Sequence, residues 1–281
     1  MASEKKAADS VETESAGSAK DGKVDKELQH QLDVVQELSR DPSDEHPSEV
    51  PSAPLTEHGE KSGLKALVDD LHDRRAKIKL GGGIEKIDAQ HAKGKLTARE
   101  RVDLLVDRGT FVELGMHGRP HFSQRSMEGR EAPADGVITG WGEVNGRRCA
   151  VAAYDFTVMA GSMGMTGELK VARLRELALQ KRMPFIWLLD SAGARIQEAV
   201  GSLFAGSGHL FREEVIMSGC IPLVAGMLGP CAAGTAYIPG LADFVPMVKG
   251  RGSMALAGPH LVRAATGEDV TPEELGGSRV H

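Results

Sequence analysis

Nowhere in this chain is there an apolar run of about 18 residues, the length a membrane-crossing helix requires, so no membrane role is expected. The opening Met1-Ala2-Ser3-Glu4-Lys5-Lys6 lacks both the apolar core of a secretory signal and the acid-poor, Arg-rich character of a transit peptide. The expectation is a cytoplasmic protein. Cysteine is scarce: Cys149, Cys220 and Cys231 are widely spaced with no C-x-x-C pair, which supports neither a disulfide framework nor a zinc knuckle, and no bound metal is expected. They read as small apolar residues buried in a reducing compartment. No internal repeat is visible at a period of roughly 20 to 50 residues. Concentrated positive charge is missing too: residues 1–60 carry 6 Lys and Arg against 15 Asp and Glu, and the remainder 28 against 25. Nucleic-acid binding is poorly motivated by that balance, whereas a mildly basic body suits an anionic small molecule such as a nucleotide or CoA.

What is present divides at about residue 63. Residues 1–63 are rich in Ser, Ala, Glu, Asp and Lys, with prolines at 42, 47, 51 and 54 that break any long helix, and read as an acidic, mostly disordered tail. Within it Leu28, Leu32, Val35 and Leu38 recur at helical spacing, giving a short amphipathic helix at 25–40, either transient or laid on a partner surface. Residues 64–281 form the folded body. A helix is predicted over Leu64–Lys79, with Leu64, Leu67, Val68 and Leu71 along one face and Gly81-Gly82-Gly83 ending it. From about Thr110 short apolar runs alternate with helical stretches, an α/β pattern. Predicted strands are 136–140, 148–154, 185–189, 222–227 and 244–248, and predicted helices are 168–181, 201–218 and 235–242. Several of these strands are apolar on both faces, as in a sheet covered on both sides.

Candidate chemistry lies in the turns. The run Phe185-Ile186-Trp187-Leu188-Leu189-Asp190-Ser191-Ala192-Gly193-Ala194-Arg195-Ile196-Gln197-Glu198 is a buried strand ending in Asp190, followed by small residues that allow a tight turn. Backbone N–H groups at Ala192 and Gly193 are placed to converge on a carbonyl oxygen that gains negative charge, an oxyanion hole; close packing alone would also select such a turn. A second turn, Gly229-Pro230-Cys231-Ala232-Ala233-Gly234-Thr235, would set a helix N-terminus beside a ligand. A third, Ala160-Gly161-Ser162-Met163-Gly164-Met165-Thr166-Gly167, precedes a helix containing Lys170. It lacks the Gly-Lys-Ser/Thr ending of a P-loop, so nucleoside triphosphate hydrolysis is not expected. Ala160-Gly161-Ser162-Met163-Gly164 is one residue from a nucleophile elbow, and a hydrolase triad of Ser162 with Asp190 or Asp243 and a histidine is a rival reading.

Five stretches, taken together and in order, resemble the carboxyltransferase (β) subunits of biotin-dependent propionyl-CoA and related acyl-CoA carboxylases. They are Lys95-Leu96-Thr97-Ala98-Arg99-Glu100-Arg101, Tyr154-Asp155-Phe156-Thr157-Val158, Asp190 through Glu198, Gly229-Pro230-Cys231-Ala232, and Thr266-Gly267-Glu268-Asp269-Val270 with Glu274-Leu275-Gly276-Gly277. The resemblance spans roughly residues 77–281, the N-terminal half of such a subunit. It implies a crotonase-like (ClpP/crotonase) fold, a spiral of ββα units that holds a thioester carbonyl between backbone N–H groups. Ala192 and Gly193 match the family's oxyanion turn; Ala233 and Gly234 fall where the family usually has two glycines. CoA contacts are expected at Gly161, Ser162, Gly164 and Lys170.

The implied chemistry is stabilisation of an acyl-CoA enolate, which attacks CO2 released from carboxybiotin on a partner carrier protein. The biotin ureido nitrogen removes the α-proton, so no side-chain base is needed. The implied partners are a C-terminal carboxyltransferase half on a separate chain, and biotin carboxylase and biotin carboxyl carrier subunits, in a homo- and hetero-oligomer. A decarboxylase subunit acting on malonate or a dicarboxylic acyl-CoA with the same fold, and a non-catalytic scaffold subunit, are the alternative readings.

Overall fold

The computed structural model describes residues 63–120, 125–198 and 208–281. The acidic tail, its helix at 25–40 and the start of the helix expected at 201–218 lie outside the described residues. Gly63–His281 clusters as one compact unit. Three helices come first: α1 (Leu64–Lys79), α2 (Ile84–Ala92) and α3 (Ala98–Leu105). α3 starts at a capping box in which the Thr97 hydroxyl accepts from the Glu100 amide at 3.3 Å and the Glu100 carboxylate accepts from the Thr97 amide at 2.7 Å.

A single mixed sheet follows: β1 (Val112–Leu114), β2 (Val137–Val144), β3 (Arg147–Tyr154), β4 (Phe185–Ser191), β5 (Leu223–Ala232) and β6 (Ser253–Ala255), side by side in chain order. β1, β2 and β3 pair antiparallel, and β3 through β6 run parallel. The β2–β3 hairpin closes through Asn145 and Gly146, both with positive φ (51° and 75°), the turn geometry whose twist matches flanking strands. Crossovers between the parallel strands carry α4 (Met165–Lys181) and α5 (Gly208–Met217); α6 (Tyr237–Leu241) follows β5, and α7 (Pro259–Thr266) and α8 (Pro272–Gly276) close the chain.

Strand alternation sorts the core into two layers. Ala150, Ala152, Tyr154, Phe185, Trp187, Leu189, Leu223 and Ala225 pack with Val171, Leu174 and Ala178 of α4 and Leu210 and Met217 of α5. On the other face Ile138, Val151, Ala153 and Leu188 meet Ala98 and Val102 of α3. Cover on both faces is why these strands read as continuous apolar runs.

The structure departs from the sequence expectation at particular elements. β5 runs on through Gly229-Pro230-Cys231 to Ala232, where a turn was expected. Its pairing with β4 shifts there, Leu189 opposing Met227 but Ser191 opposing Cys231, and that bulge accommodates Pro230, which has no amide to give a ladder. The expected helix at 235–242 is instead a 3-10 turn, Ala233–Ala236, followed by the short α6. Residues 244–248 touch β5 only through the isolated bridges Val224 to Phe244 and Met227 to Met247, with Pro246 between them unable to donate. The apolar face of α1 is present but unburied: Leu64, Leu67 and Val68 are all exposed. Among the described residues no helix is long and apolar enough to cross a membrane.

Candidate functional site

The C-terminal ends of β3, β4 and β5 deliver three turns to one edge of the sheet, where ligands of open α/β sheets bind. After β3, the Asp155 carboxylate accepts from the Thr157 amide (3.0 Å) and hydroxyl (2.7 Å), and Met159, Ala160 and Gly161 then take positive φ in succession (47°, 55° and 62°). This coil turns the Ala160 and Gly161 carbonyls to the end of β4. Ala160 O accepts the Ala192 amide at 3.0 Å, and Gly161 O accepts the Ser191 hydroxyl at 2.7 Å. Two further backbone bonds zip the turns together: Met163 N–H to Gly193 O at 2.8 Å and Arg195 N–H to Met163 O at 2.9 Å.

The β4 turn then meets the β5 turn. Gly193 has φ of 96°, and a β-carbon built on it would lie 2.6 Å from the Ala232 carbonyl oxygen. Only glycine satisfies both constraints. On the other side Thr235 Oγ1 donates to Ala232 O at 2.8 Å and fixes the 3-10 turn, in which Ala233 has φ of 48°. A β-carbon at that left-handed value costs about 1–2 kcal/mol.

Of the two amides expected to face a ligand at the first turn, that of Ala192 donates to Ala160 O. The Gly193 amide donates to Ser191 Oγ, two residues back in its own turn, at 3.1 Å. The amides of Ala233 and Gly234 open the 3-10 turn Ala233–Ala236, directly after the last β5–β6 pair, Ala232 with Ala255.

The residues expected to contact CoA each have internal partners. Gly161 is buried, and a β-carbon on it would collide with the Asp190 carbonyl. Gly164 is packed against the guanidinium of Arg195 and the carboxylate of Asp135, 2.6 Å from where its β-carbon would stand. Ser162 accepts from Arg195 through both its hydroxyl (3.2 Å) and its carbonyl (3.0 Å). Lys170 Nζ donates to the carbonyls of Ala134 and Val137, each at 2.6 Å, and burial lowers its pKa to about 8. Among the described residues the hydrolase triad does not assemble: Ser162 faces a guanidinium, Asp190 is ion-paired, and the Asp243 carboxylate accepts the Leu223 amide at 2.8 Å. Among the described residues no three His, Cys, Asp or Glu side chains are grouped to hold a metal.

Sequence reasoning missed the buried charges that hold these turns. Arg195 pairs with Asp135 and, at 2.9 Å, with Glu198, whose other oxygen accepts the Met165 amide at 2.8 Å in the first turn of α4. Asp190, wholly buried, accepts from Lys95 (2.8 Å) and Arg101 (2.8 Å), tying the segment around α3 to the end of β4. Its carboxylate stands where a side chain on Gly229 would be. The available signal was charge: Asp190, Arg195 and Glu198 interrupt runs of apolar and small residues, where an ionised side chain has to find a partner.

A mixed sheet whose successive strands and crossover helices bring backbone turns to one edge is the architecture of the crotonase-like carboxyltransferases. Residues 89–281 match the carboxyl transferase domain, and the chain belongs to that family. Over 218 residues it is 45% identical to the propionyl-CoA carboxylase beta chain of Roseobacter denitrificans, an overlap covering 78% of this chain and 42% of that one. It is 43% identical to the methylmalonyl-CoA decarboxylase subunit alpha of Veillonella parvula, across 78% of this chain and 43% of the relative. Among solved structures it superposes on a transcarboxylase 12S, described as a hexamer with hydrolysed methylmalonyl-coenzyme A bound, with a TM-score of 0.75 at 41% identity over 79% of this chain and 43% of that one. The chain therefore spans less than half the length of these three relatives.

Proposed function

We propose that residues 64–281 are the acyl-CoA-binding, N-terminal domain of a biotin-dependent acyl-CoA carboxyltransferase, and that the adjoining turns at Gly193 and at Ala233–Gly234 stabilise the thioester enolate. One observation carries this reading: two turns with main-chain donors abut at the strand ends, in a family whose transcarboxylase relative was solved with a hydrolysed acyl-CoA. Carboxybiotin on a carrier protein supplies the CO2. The work of this chain is to hold the thioester and offer N–H groups to the oxygen that becomes negative, and a donor of that kind is typically worth roughly 100- to 1,000-fold in rate. Gly193 is the donor of the first turn, its amide exchanging the 3.1 Å bond to Ser191 Oγ for the thioester oxygen, while Ala192 fixes the turn through Ala160 O. The remainder of the site is supplied by a C-terminal carboxyltransferase half, and biotin carboxylase and biotin carboxyl carrier subunits complete a hetero-oligomer.

The test is reconstitution. The chain, a C-terminal half and biotinylated carrier should together transfer labelled carboxylate to an acyl-CoA, and omission of any one should abolish transfer. Turnover without the chain would reduce it to a scaffold. The decarboxylase reading has support of its own, since a decarboxylase subunit stands only slightly below the carboxylase chain in identity. Net release of CO2 from a dicarboxylic acyl-CoA, with no carboxylation in the presence of bicarbonate and ATP, would select it.

A further inference from the structure

The pairing of β4 with β5 lapses at one residue. Leu189 opposes Met227 and Ser191 opposes Cys231, so Asp190 alone spans the stretch that β5 fills with Leu228, Gly229 and Pro230. The ladder changes register there, and strand pairing by itself does not fix the offset. Just beyond the lapse stand the two turns of the candidate site, Gly193 after β4 and Ala233–Gly234 after β5. Any slip of β4 along β5 would move Gly193 relative to Ala232, against whose carbonyl it is packed.

The side chain of Asp190 supplies what the ladder lacks. It is wholly buried and keyed to Gly229, where any β-carbon would overlap its carboxylate. On the main-chain side, the Asp190 carbonyl oxygen is packed against Gly161, which likewise has no room for a β-carbon. Three donors from the α2–α3 region hold the carboxylate: Lys95 Nζ at 2.8 Å on Oδ1, Arg101 Nη2 at 2.8 Å on Oδ2, and Gln90 Nε2 at 3.5 Å on Oδ2. Lys95 Nζ also lies 4.6 Å from the centre of the Phe156 ring, in the turn after β3, so one ammonium touches the ends of two strands. Stability alone does not call for this much charge, since replacing a buried ion pair by well-packed apolar residues often leaves a fold as stable or more so. What the charge adds is direction. Ionic hydrogen bonds hold a carboxylate in one orientation, and a displacement of about 1 Å at a reacting centre costs roughly 100-fold in rate.

We propose that Asp190 is a positioning residue: gripped by Lys95 and Arg101 and seated against Gly229, it sets the offset of β4 on β5 and with it the separation of the Gly193 turn from the Ala233–Gly234 turn. Its effect on turnover rests on the thioester reading of those turns; its effect on their backbone does not. The experiment compares the full chain with Asp190→Asn, which keeps the size and removes the charge, and with Lys95→Met, which leaves Arg101 on the carboxylate. Amide hydrogen exchange is followed by NMR, and KM and kcat for acyl-CoA are measured in the complex reconstituted with a C-terminal half and biotinylated carrier. In Asp190→Asn the Ala192 amide should exchange at least about tenfold faster, while amides of the β2–β3 hairpin change less than about twofold. Turnover should fall roughly 10- to 100-fold in kcat, with KM within about twofold of the parent's. Lys95→Met should move both readouts in the same direction by less, and it decides the matter if Asp190→Asn does not fold. A merely structural role would instead speed exchange throughout the body and leave kcat per folded enzyme unchanged. That result, or an Ala192 amide that exchanges at the parent's rate, would overturn the proposal. A parent complex without turnover would strike the thioester reading, and the exchange comparison would still decide the role of Asp190.

Discussion

Arg195 and Asp135, 60 residues apart in the chain, form an ion pair with both side chains wholly buried. The same guanidinium reaches Glu198 and Ser162, so one side chain joins the 3-10 turn before β2, the turn after β3 and the turn after β4. Main-chain donors are useful in catalysis only if they are held still, and this pair fixes the framework on which the Gly193 turn rests.

Arg195→Met should therefore be costly out of proportion to its volume change. It leaves the carboxylates of Asp135 and Glu198 buried without their cation, a defect worth about 3–5 kcal/mol. Urea unfolding of the parent and the variant measures it. A loss under about 1 kcal/mol would show that the pair is dispensable.

The two positive-φ residues where the turns meet should respond in opposite directions. Gly193→Ala places a β-carbon 2.6 Å from the Ala232 carbonyl and should lower both the melting temperature and the turnover of the assembled enzyme. Ala233→Gly relieves a left-handed alanine and should leave the fold equally or more stable, by up to about 1 kcal/mol, with turnover retained. Equal tolerance at both positions, read by melting curves and a carboxyl-transfer assay, would show that the turns are not packed as described.

Lys170→Met separates a structural role from a ligand-binding one. The ammonium serves two main-chain carbonyls, so its loss should cost about 1.5–3 kcal/mol of stability. Acyl-CoA affinity, measured on folded protein below the melting transition, should change less than twofold on this structural reading. A large loss of affinity with unchanged stability would restore Lys170 to the CoA site.

Glu214 predicts a pH dependence. It lies on α5 and is wholly buried, neither carboxylate oxygen has a hydrogen-bond partner among the described residues, and burial raises its pKa from 4.5 to about 8. The folded state thus holds a proton that the unfolded chain releases above its own pKa. The stability this contributes is complete below pH 4.5 and is lost as pH rises through about 8. Glu214→Gln removes the ionisation, so its melting temperature should gain on the parent's as pH is raised from 5 to 9. Comparing variant with parent also cancels the opposite trend from Lys170, which is common to both proteins. A difference that stays constant with pH would mean that Glu214 titrates normally.

The sequence by itself determined the layered α/β arrangement, because strands covered on both faces must be apolar throughout and the crossover helices must carry a periodic stripe. β3, β4, α1 and α4 lie where periodicity placed them, and the Asn145-Gly146 hairpin is local turn chemistry. The family, too, was legible in five short stretches. What only the tertiary structure decided is which polar groups remain available. Whether an amide is free depends on a carbonyl that folding brings from elsewhere, as Ala160 does for Ala192. That Lys170 reaches the Ala134 carbonyl, and that Pro230 sits in a strand's bulge and not at its end, likewise depend on partners distant in sequence. Hydrogen bonding and ion pairing are pairwise and long-range, whereas the periodicity that a sequence displays is local.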